Sequence, residues 1–249
     1  MSGHSKWSQI KRKKAATDAA RGKVFSKTIK EITLAARSGG GDPESNARLR
    51  SAIAAAKAAN MPAANIERAI KRGTGEIEGV IIEEAHYEGY GPHGVAILVE
   101  VATDNKNRAA GDVRHIFTRF GGSLAEAGAV SYLFKPRGVI TVERAAVAED
   151  ALIEAALEAG ADDVVAGAES FEVLTPPAAF EAVRAALAGK GIPLHSAEVT
   201  RIAATTVPLD DRTAGSVLKL VEALEDHDDV QKVYANFEIA DEILARLSG

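Results

Sequence analysis

The chain has 249 residues, of which 46% are hydrophobic and 26% charged, as is usual for globular proteins. It contains no cysteine, which excludes disulfides, thiolate metal sites and cysteine nucleophiles. No segment approaches the roughly 20 apolar residues of a membrane span, and the basic start lacks the apolar stretch of a secretory signal. We therefore expect a cytoplasmic protein with no membrane partner.

The net charge of −5 conceals a strong asymmetry along the chain. Residues 1–72 contain 16 Lys/Arg and 5 Asp/Glu, a net charge of +11, whereas the rest contains 14 and 30, a net charge of −16. A basic end of this kind is typical of proteins that bind nucleic acid. The alternative is that the basic segment docks on the acidic part of its own chain.

The basic segment is predicted to form a three-helix bundle behind a basic tail. Apolar residues recur at helical spacing over residues 23–37 and define one buried face of a first helix. Asp42 is the predicted N-cap of a second helix, which runs to about Asn60. A third helix follows Pro62 and is predicted to end at Gly73.

Beyond Gly79 the pattern changes to alternating strands and helices. Residues 80–134 predict two strands, a helix and a strand over residues 130–134, and residues 205–237 predict a strand, a helix and a strand. Between them, residues 138–202 follow the order βαββαβ of a ferredoxin-like domain. We therefore expect this unit to be inserted into another α/β domain.

The predicted fold class is α+β and multidomain, with a three-helix bundle followed by two α/β sandwich domains, of which the inserted one is ferredoxin-like. The predicted boundaries are 1–79 for the tail and bundle, 80–135 plus 203–249 for the discontinuous α/β domain, and 136–202 for the inserted domain.

The sequence contains short motifs that would indicate an enzyme, but the elements predicted around them do not support that interpretation. The glycines of Gly89–Gly94 match the spacing of a dinucleotide-binding loop, but a strand follows where that chemistry needs a helix. The Asp226–Asp229 run is rich in metal-ligand types, yet it lies between a helix and a strand, where Asp-rich turns are common. We expect no catalytic residue, no metal, no cofactor and no small-molecule substrate.

The candidate nucleic-acid-binding residues lie in the basic segment. Lys and Arg on one surface neutralise phosphates, and an aromatic ring beside them can stack on an unpaired base. Trp7 is therefore a candidate stacking residue, although it would equally serve as a hydrophobic plug on the bundle. The candidates are His4, Lys6, Trp7, Lys11, Arg12, Lys13, Lys14, Arg21, Lys23, Lys27, Lys30, Arg37, Arg68 and Arg72.

Short blocks distributed along the whole chain resemble the YebC/PmpR family. They include Gly3–Trp7, Asn60–Pro62, Tyr87–Pro92 and Thr103–Asn105. The resemblance implies a three-domain cytoplasmic protein without a cofactor. Members of that family are described as DNA-binding transcriptional regulators, and others as translation factors that help the ribosome through stretches such as consecutive prolines.

We therefore expect a non-enzymatic regulator of gene expression that binds nucleic acid through its basic N-terminal domain. A basic tail with one aromatic ring suits irregular single-stranded RNA, so a ribosome-associated translation factor that contacts ribosomal RNA is the first hypothesis. A DNA-binding transcriptional regulator is the second, with the third helix reading base edges. A protein-interaction scaffold is the third. The acidic inserted domain has no predicted role.

Overall fold

The structure is a computed structural model that describes residues 18–240 with Glu242, Ile243 and Arg246, and side chains from Gly22 onward. The described residues form seven α-helices and ten strands, arranged as a helical bundle and two α/β units. The predicted α+β, multidomain fold class is confirmed. Within the described residues, no helix has the length and apolar character to span a membrane.

The bundle consists of α1 (Asp18–Gly39), α2 (Ala47–Ala58) and α3 (Ala63–Thr74). Helix α1 packs against both of the others, and their apolar faces form one hydrophobic core. Its fully or largely buried side chains include Ile32, Leu49, Met61 and Ile66.

Helices α1 and α3 cross at Gly73 with almost no space between their backbones. A Cβ atom on Gly73 would lie 2.4 Å from the Thr33 carbonyl oxygen and 2.7 Å from the Ala36 Cβ. The Thr33 hydroxyl donates to the Ala69 carbonyl at 3.3 Å across the same crossing. Only glycine therefore fits at this position.

Two predicted helix boundaries in the bundle are wrong. Asn46, not Asp42, is the N-cap of α2, and its side-chain oxygen accepts from the Leu49 N–H at 3.0 Å. Its side-chain amide also donates to the Ala35 and Gly40 carbonyls at 2.8 and 2.9 Å, which ties α2 to the end of α1. Helix α3 continues one residue past the predicted end, to Thr74, and its C-cap is Gly75 in the left-handed conformation.

The central unit is a four-stranded antiparallel sheet in the order β3-β1-β2-β9, with α4 and α7 packed on one face. A short parallel pair, β8 with β10, lies beside it. Its elements are β1 (Glu83–Tyr90), β2 (Ala96–Thr103), α4 (Lys106–Arg119), β3 (Ser123–Leu124), β8 (Val207–Leu209), α7 (Asp211–Glu225), β9 (Val230–Ala235) and β10 (Phe237–Ile239).

The inserted unit has its own sheet in the order β5-β6-β4-β7, with its own hydrophobic core under two helices. This is the strand order of a ferredoxin-like domain, and the predicted βαββαβ arrangement is confirmed. Its elements are β4 (Phe134–Glu143), α5 (Glu149–Glu158), β5 (Asp163–Ala166), β6 (Ser170–Thr175), α6 (Phe180–Gly189) and β7 (Ser196–Ala203).

The chain enters and leaves the inserted unit at neighbouring points. Strands β4 and β7 are antiparallel neighbours, and Phe134 pairs with Ala203 at their shared end. Just outside this pair, the Ala204 N–H donates to the Leu133 carbonyl at 2.8 Å.

The strand predicted over residues 130–134 is also wrong, because Ser131–Leu133 form a single 3-10 turn and the strand begins only at Phe134. The reason is a buried carboxylate. Glu88 accepts the N–H groups of Val130 and Ser131, which are therefore not available to a sheet ladder.

Candidate nucleic-acid interface

The α1 lysine row, which we define as Lys23, Lys27 and Lys30, lies against the C-terminal end of α7. Lys23 Nζ donates to the Asp226 carbonyl at 3.2 Å, and Lys27 Nζ donates to the Glu225 carbonyl at 2.5 Å. The last carbonyls of a helix have no partner within the helix and carry its negative dipole end, so cations stabilise them. Lys23 and Lys27, both predicted nucleic-acid-binding residues, thus contact their own chain.

The third member of the row reaches a buried carboxylate. Lys30 Nζ lies 3.0 Å from the Asp228 carbonyl oxygen and 2.6 Å from Asp229 Oδ1. The other oxygen of Asp229 accepts from the Arg108 guanidinium at 2.8 Å and from the Thr103 hydroxyl at 2.9 Å. The side chain of Asp229 is only 7% exposed, so its carboxylate is largely shielded from water, whereas the Arg108 side chain is about half exposed.

Two opposing effects determine the pKa of Asp229. Burial raises the pKa, but hydrogen bonds from Lys30, Arg108 and Thr103 outweigh it and lower the pKa from 3.8 to about 2. A carboxyl whose pKa is lower in the folded state stabilises that state at any pH above its unfolded value. The contribution is fully present above pH 3.8 and is lost as the pH falls towards about 2.

We expect this loss to be measurable by acid-dependent denaturation. A shift of nearly two pKa units corresponds to between about 2 and 3 kcal/mol, most of which is lost by pH 2, so the free energy of unfolding should fall by about 2 kcal/mol more in the parent than in Asp229→Asn as the pH is lowered from neutral to about 2. Urea denaturation at a series of pH values measures it. Asp104→Asn, which removes a carboxylate that contacts Arg108 but not Lys30, is the control. Parallel curves for the parent and Asp229→Asn would contradict the assigned role.

Other cations of the bundle are also held within the chain. Arg37, another predicted nucleic-acid-binding residue, donates to the Ile82 carbonyl at 3.0 Å. Arg48 forms ion pairs with Glu31 at 2.7 Å and with Glu84 at the start of β1. These contacts attach the bundle to the α/β unit.

The α3 cation row, which we define as Arg68, Lys71 and Arg72, differs from these cations in its pairing and exposure. These residues lie three and four positions apart and so share one face of the helix, opposite the buried Ile66 and Ala69. All three are exposed. In the part of the chain that the structure describes, their charged groups have no hydrogen bond or ion pair.

The remaining candidates cannot be placed. His4, Lys6, Trp7 and the four cations Lys11, Arg12, Lys13 and Lys14 lie outside the described residues. Arg21 lies in α1, but its side chain is not among those described. The alternative roles of Trp7, base stacking or packing on the bundle, therefore stay predictions.

Sequence reasoning missed the cluster formed by Thr103, Arg108 and Asp229. Thr103 belongs to a recognised block and Arg108 follows that block closely, whereas Asp229 belongs to a run that was considered only for its metal-ligand residue types. In that run His227 faces Asp112 at 3.4 Å and accepts from the Asp229 N–H at 3.1 Å. No group of three such side chains is placed to hold a metal ion within the described residues.

Residues of the Tyr87–Pro92 block stabilise the central sheet through hydrogen bonds and close packing. Glu88 accepts three backbone N–H groups from residues 128–131, and the Tyr90 hydroxyl donates to the Ala129 carbonyl at 3.3 Å. A Cβ on Gly89 would lie 2.7 Å from the Phe117 ring, so this glycine permits close packing of α4. The loop leads into β2, as predicted, and not into a helix that could hold a dinucleotide.

Two family models together match most of the chain. The model of the TACO1/YebC N-terminal domain matches residues 5–76, and the model of the TACO1/YebC second and third domains matches residues 82–237. The chain belongs to the TACO1/YebC family. This confirms the resemblance on which the family prediction rested.

Relatives and a solved structure agree with this assignment. Proteins of this family from Dictyoglomus turgidum and Geobacter sulfurreducens are each 58% identical to the chain, covering 100% and 99% of it and 100% of their own lengths. Both are named probable transcriptional regulatory protein. The crystal structure of a conserved hypothetical protein from Aquifex aeolicus is 52% identical, with a TM-score of 0.81 over 91% of this chain and 94% of its own.

Proposed function

We propose that this TACO1/YebC protein is a non-enzymatic regulator of gene expression that binds the phosphate backbone of nucleic acid through its helical bundle. Regulation of gene expression is supported by the name of its full-length relatives, probable transcriptional regulatory protein. Nucleic-acid binding is supported by one observation above the others. The α3 cation row is exposed and its charges are unpaired among the described residues.

The electrostatic argument begins with the +11 charge of residues 1–72. Like charges concentrated on a small bundle repel one another, and an external polyanion relieves that repulsion when its counterions are released. Since the α1 lysine row and Arg48 already have internal partners, the unpaired cations of the described bundle are concentrated on α3, with Lys57 on α2 as a further exposed one. The cations of residues 6–14 add to the same charge.

The first candidate partner is ribosomal RNA, which would make the protein a ribosome-associated translation factor. Trp7 among basic residues favours it, because unpaired RNA bases stack on aromatic rings. The second candidate is duplex DNA, favoured by the relatives' name and by the position of the α3 cation row on an exposed helix that follows a turn. Arg68 and Arg72 are one helical turn apart and would face one groove.

We expect the α3 cation row to set the salt dependence of binding. On duplex DNA, each phosphate contact contributes about −0.9 to the slope of log K against log salt, so Arg68→Ala, Lys71→Ala and Arg72→Ala together should flatten the slope by about 3 units. Fluorescence anisotropy at a series of salt concentrations measures this slope.

The matched control removes the same charge from the inserted domain. Arg137, Arg184 and Lys190 are exposed-surface cations that pair with acidic neighbours there, and their alanine variants should leave the slope nearly unchanged. An equal change in both triple variants would show that only net charge matters and would remove the bundle from the interface. Cofractionation with ribosomes on a sucrose gradient, with and without ribonuclease, separates the RNA hypothesis from the DNA hypothesis.

A further inference from the structure

The α1 lysine row presents a geometry that suits phosphates but is occupied by the protein itself. The three ammonium groups belong to residues 23 to 30 of the helix and cover roughly 10 Å, since a helix rises about 1.5 Å per residue. Opposite them stand the carbonyl oxygens at the end of α7 and the carboxylate of Asp229, which form a row of negative oxygens. We call this the α1–α7 contact.

The α1–α7 contact is formed by polar groups, and among the described residues the buried apolar clusters of the two units are separate. The buried cluster of the bundle and the buried cluster under α4 and α7 have no residue in common. Hydrogen bonds and ion pairs join the two units, including those of Arg37 with Ile82 and of Arg48 with Glu84. The exposed members of these contacts, such as those of Lys23 and Arg48, are weakened by salt and by competing ions, and a polar interface between units favours relative motion.

The chain between the two units also allows separation. Residues 75–82 join α3 to β1 and contain no helix or strand, and all of them except the half-buried Ile82 are exposed. The bundle can therefore move away from the α/β unit by changing a few backbone dihedrals, without unfolding either core.

We propose that the α1–α7 contact is autoinhibitory: Asp229 and the carbonyl end of α7 occupy the α1 lysine row in competition with nucleic-acid phosphates, and the row binds only when the bundle separates. This inference rests on the proposed function and adds its regulation. We call the protein closed when the α1–α7 contact is formed. In this closed form nucleic acid can bind only the cations outside the α1 lysine row, including those of α3. The measured affinity is then reduced by the fraction of molecules that are closed.

The direct test compares two full-length variants that each remove one negative charge. Asp229 and Asp104 both contact Arg108, but only Asp229 contacts Lys30. Asp229→Asn should bind a short fluorescein-labelled DNA duplex, and a single-stranded RNA of the same sequence, about tenfold more tightly than Asp104→Asn, a difference of about 1.4 kcal/mol. Removing one charge-assisted hydrogen bond from the closed form is sufficient for a change of this size.

A second measurement does not depend on the folding of Asp229→Asn. Because the chain has no cysteine, spin labels can be placed at Ala54→Cys on α2 and Thr118→Cys on α4, both exposed positions. Pulsed electron–electron double resonance measures the distance between the two labels. It should give a single distance in the free protein and a longer, broader distance distribution with saturating duplex or RNA.

The outcomes separate this proposal from the proposed function. If neither probe binds the parent or any variant, nucleic-acid binding is wrong and the autoinhibitory contact has no partner. If the probes bind, but Asp229→Asn is no tighter than Asp104→Asn and the label distance is unchanged at saturation, the α1–α7 contact is only structural and the proposed function stands. Tighter binding together with a longer distance supports autoinhibition.

Discussion

Replacing Glu88 by glutamine is expected to lower the free energy of unfolding by about 3 kcal/mol, because three hydrogen bonds to a buried carboxylate are lost or weakened together. The carboxylate is 6% exposed and accepts the N–H groups of Gly128, Val130 and Ser131 at 2.7, 2.6 and 2.8 Å. Burial raises the pKa of Glu88, but the hydrogen bonds from these N–H donors lower it by more, so the net shift of the pKa is downward. In glutamine, one of the two acceptor oxygens is replaced by an NH2 group. This group would face backbone N–H donors and could not accept hydrogen bonds from them.

The control lies on the same strand. Glu84 is exposed and pairs with Arg48 on the surface, so Glu84→Gln should cost less than about 1 kcal/mol. Urea denaturation followed by circular dichroism compares the two variants, and hydrogen exchange of residues 125–134 locates the effect. Equal stability losses at the two positions would rule out the anchoring role that we assign to Glu88.

Replacing Gly73 by alanine is expected to destabilise the bundle by about 2 kcal/mol, although alanine favours helices by about 1 kcal/mol over glycine. The added methyl group would lie 2.4 Å from the Thr33 carbonyl oxygen, and a backbone atom cannot rotate away. Helices α1 and α3 would have to separate, which opens the core around Ile32 and Ile66.

A second helical glycine shows the opposite sign. Gly111 in α4 has no atom within 4 Å of the position that a Cβ would occupy, so Gly111→Ala should stabilise the protein by about 0.5–1 kcal/mol. Hydrogen exchange of α1 and α3 should increase in Gly73→Ala and stay unchanged in Gly111→Ala. A stabilising Gly73→Ala would mean that the crossing is looser than described.

The sequence predicted those parts of the fold that depend on local periodicity. The apolar face of α1 and the βαββαβ order of the inserted domain both follow from the spacing of neighbouring residues. Helix caps were less certain, because Asp42 and Asn46 are both good N-cap residues. The choice of Asn46 depends on its hydrogen bonds to Ala35 and Gly40, which only the folded bundle provides.

The interior contacts of the candidate site could not be predicted in the same way. Lys27 and Glu225 are 198 positions apart, and the acceptor is a backbone carbonyl that no residue type identifies. The lysine pattern therefore indicated a cationic face, but it could not distinguish a phosphate from the end of a helix. For Glu88, likewise, the motif was recognisable, while the N–H donors of residues 128–131 have no signature in sequence.

The close spacing of Leu133 and Ala204 has a consequence for the order in which the chain folds. Strand β9 pairs with β2 at Val101 and Val230, so the central sheet is completed only by a segment made much later in synthesis. Such distant pairing is slow, because a long loop must close first. Once the inserted domain has folded, however, it holds residues 133 and 204 together, and the loop that must close is reduced to less than half of its original length. We therefore expect the inserted domain to fold first and β9 to join the sheet last.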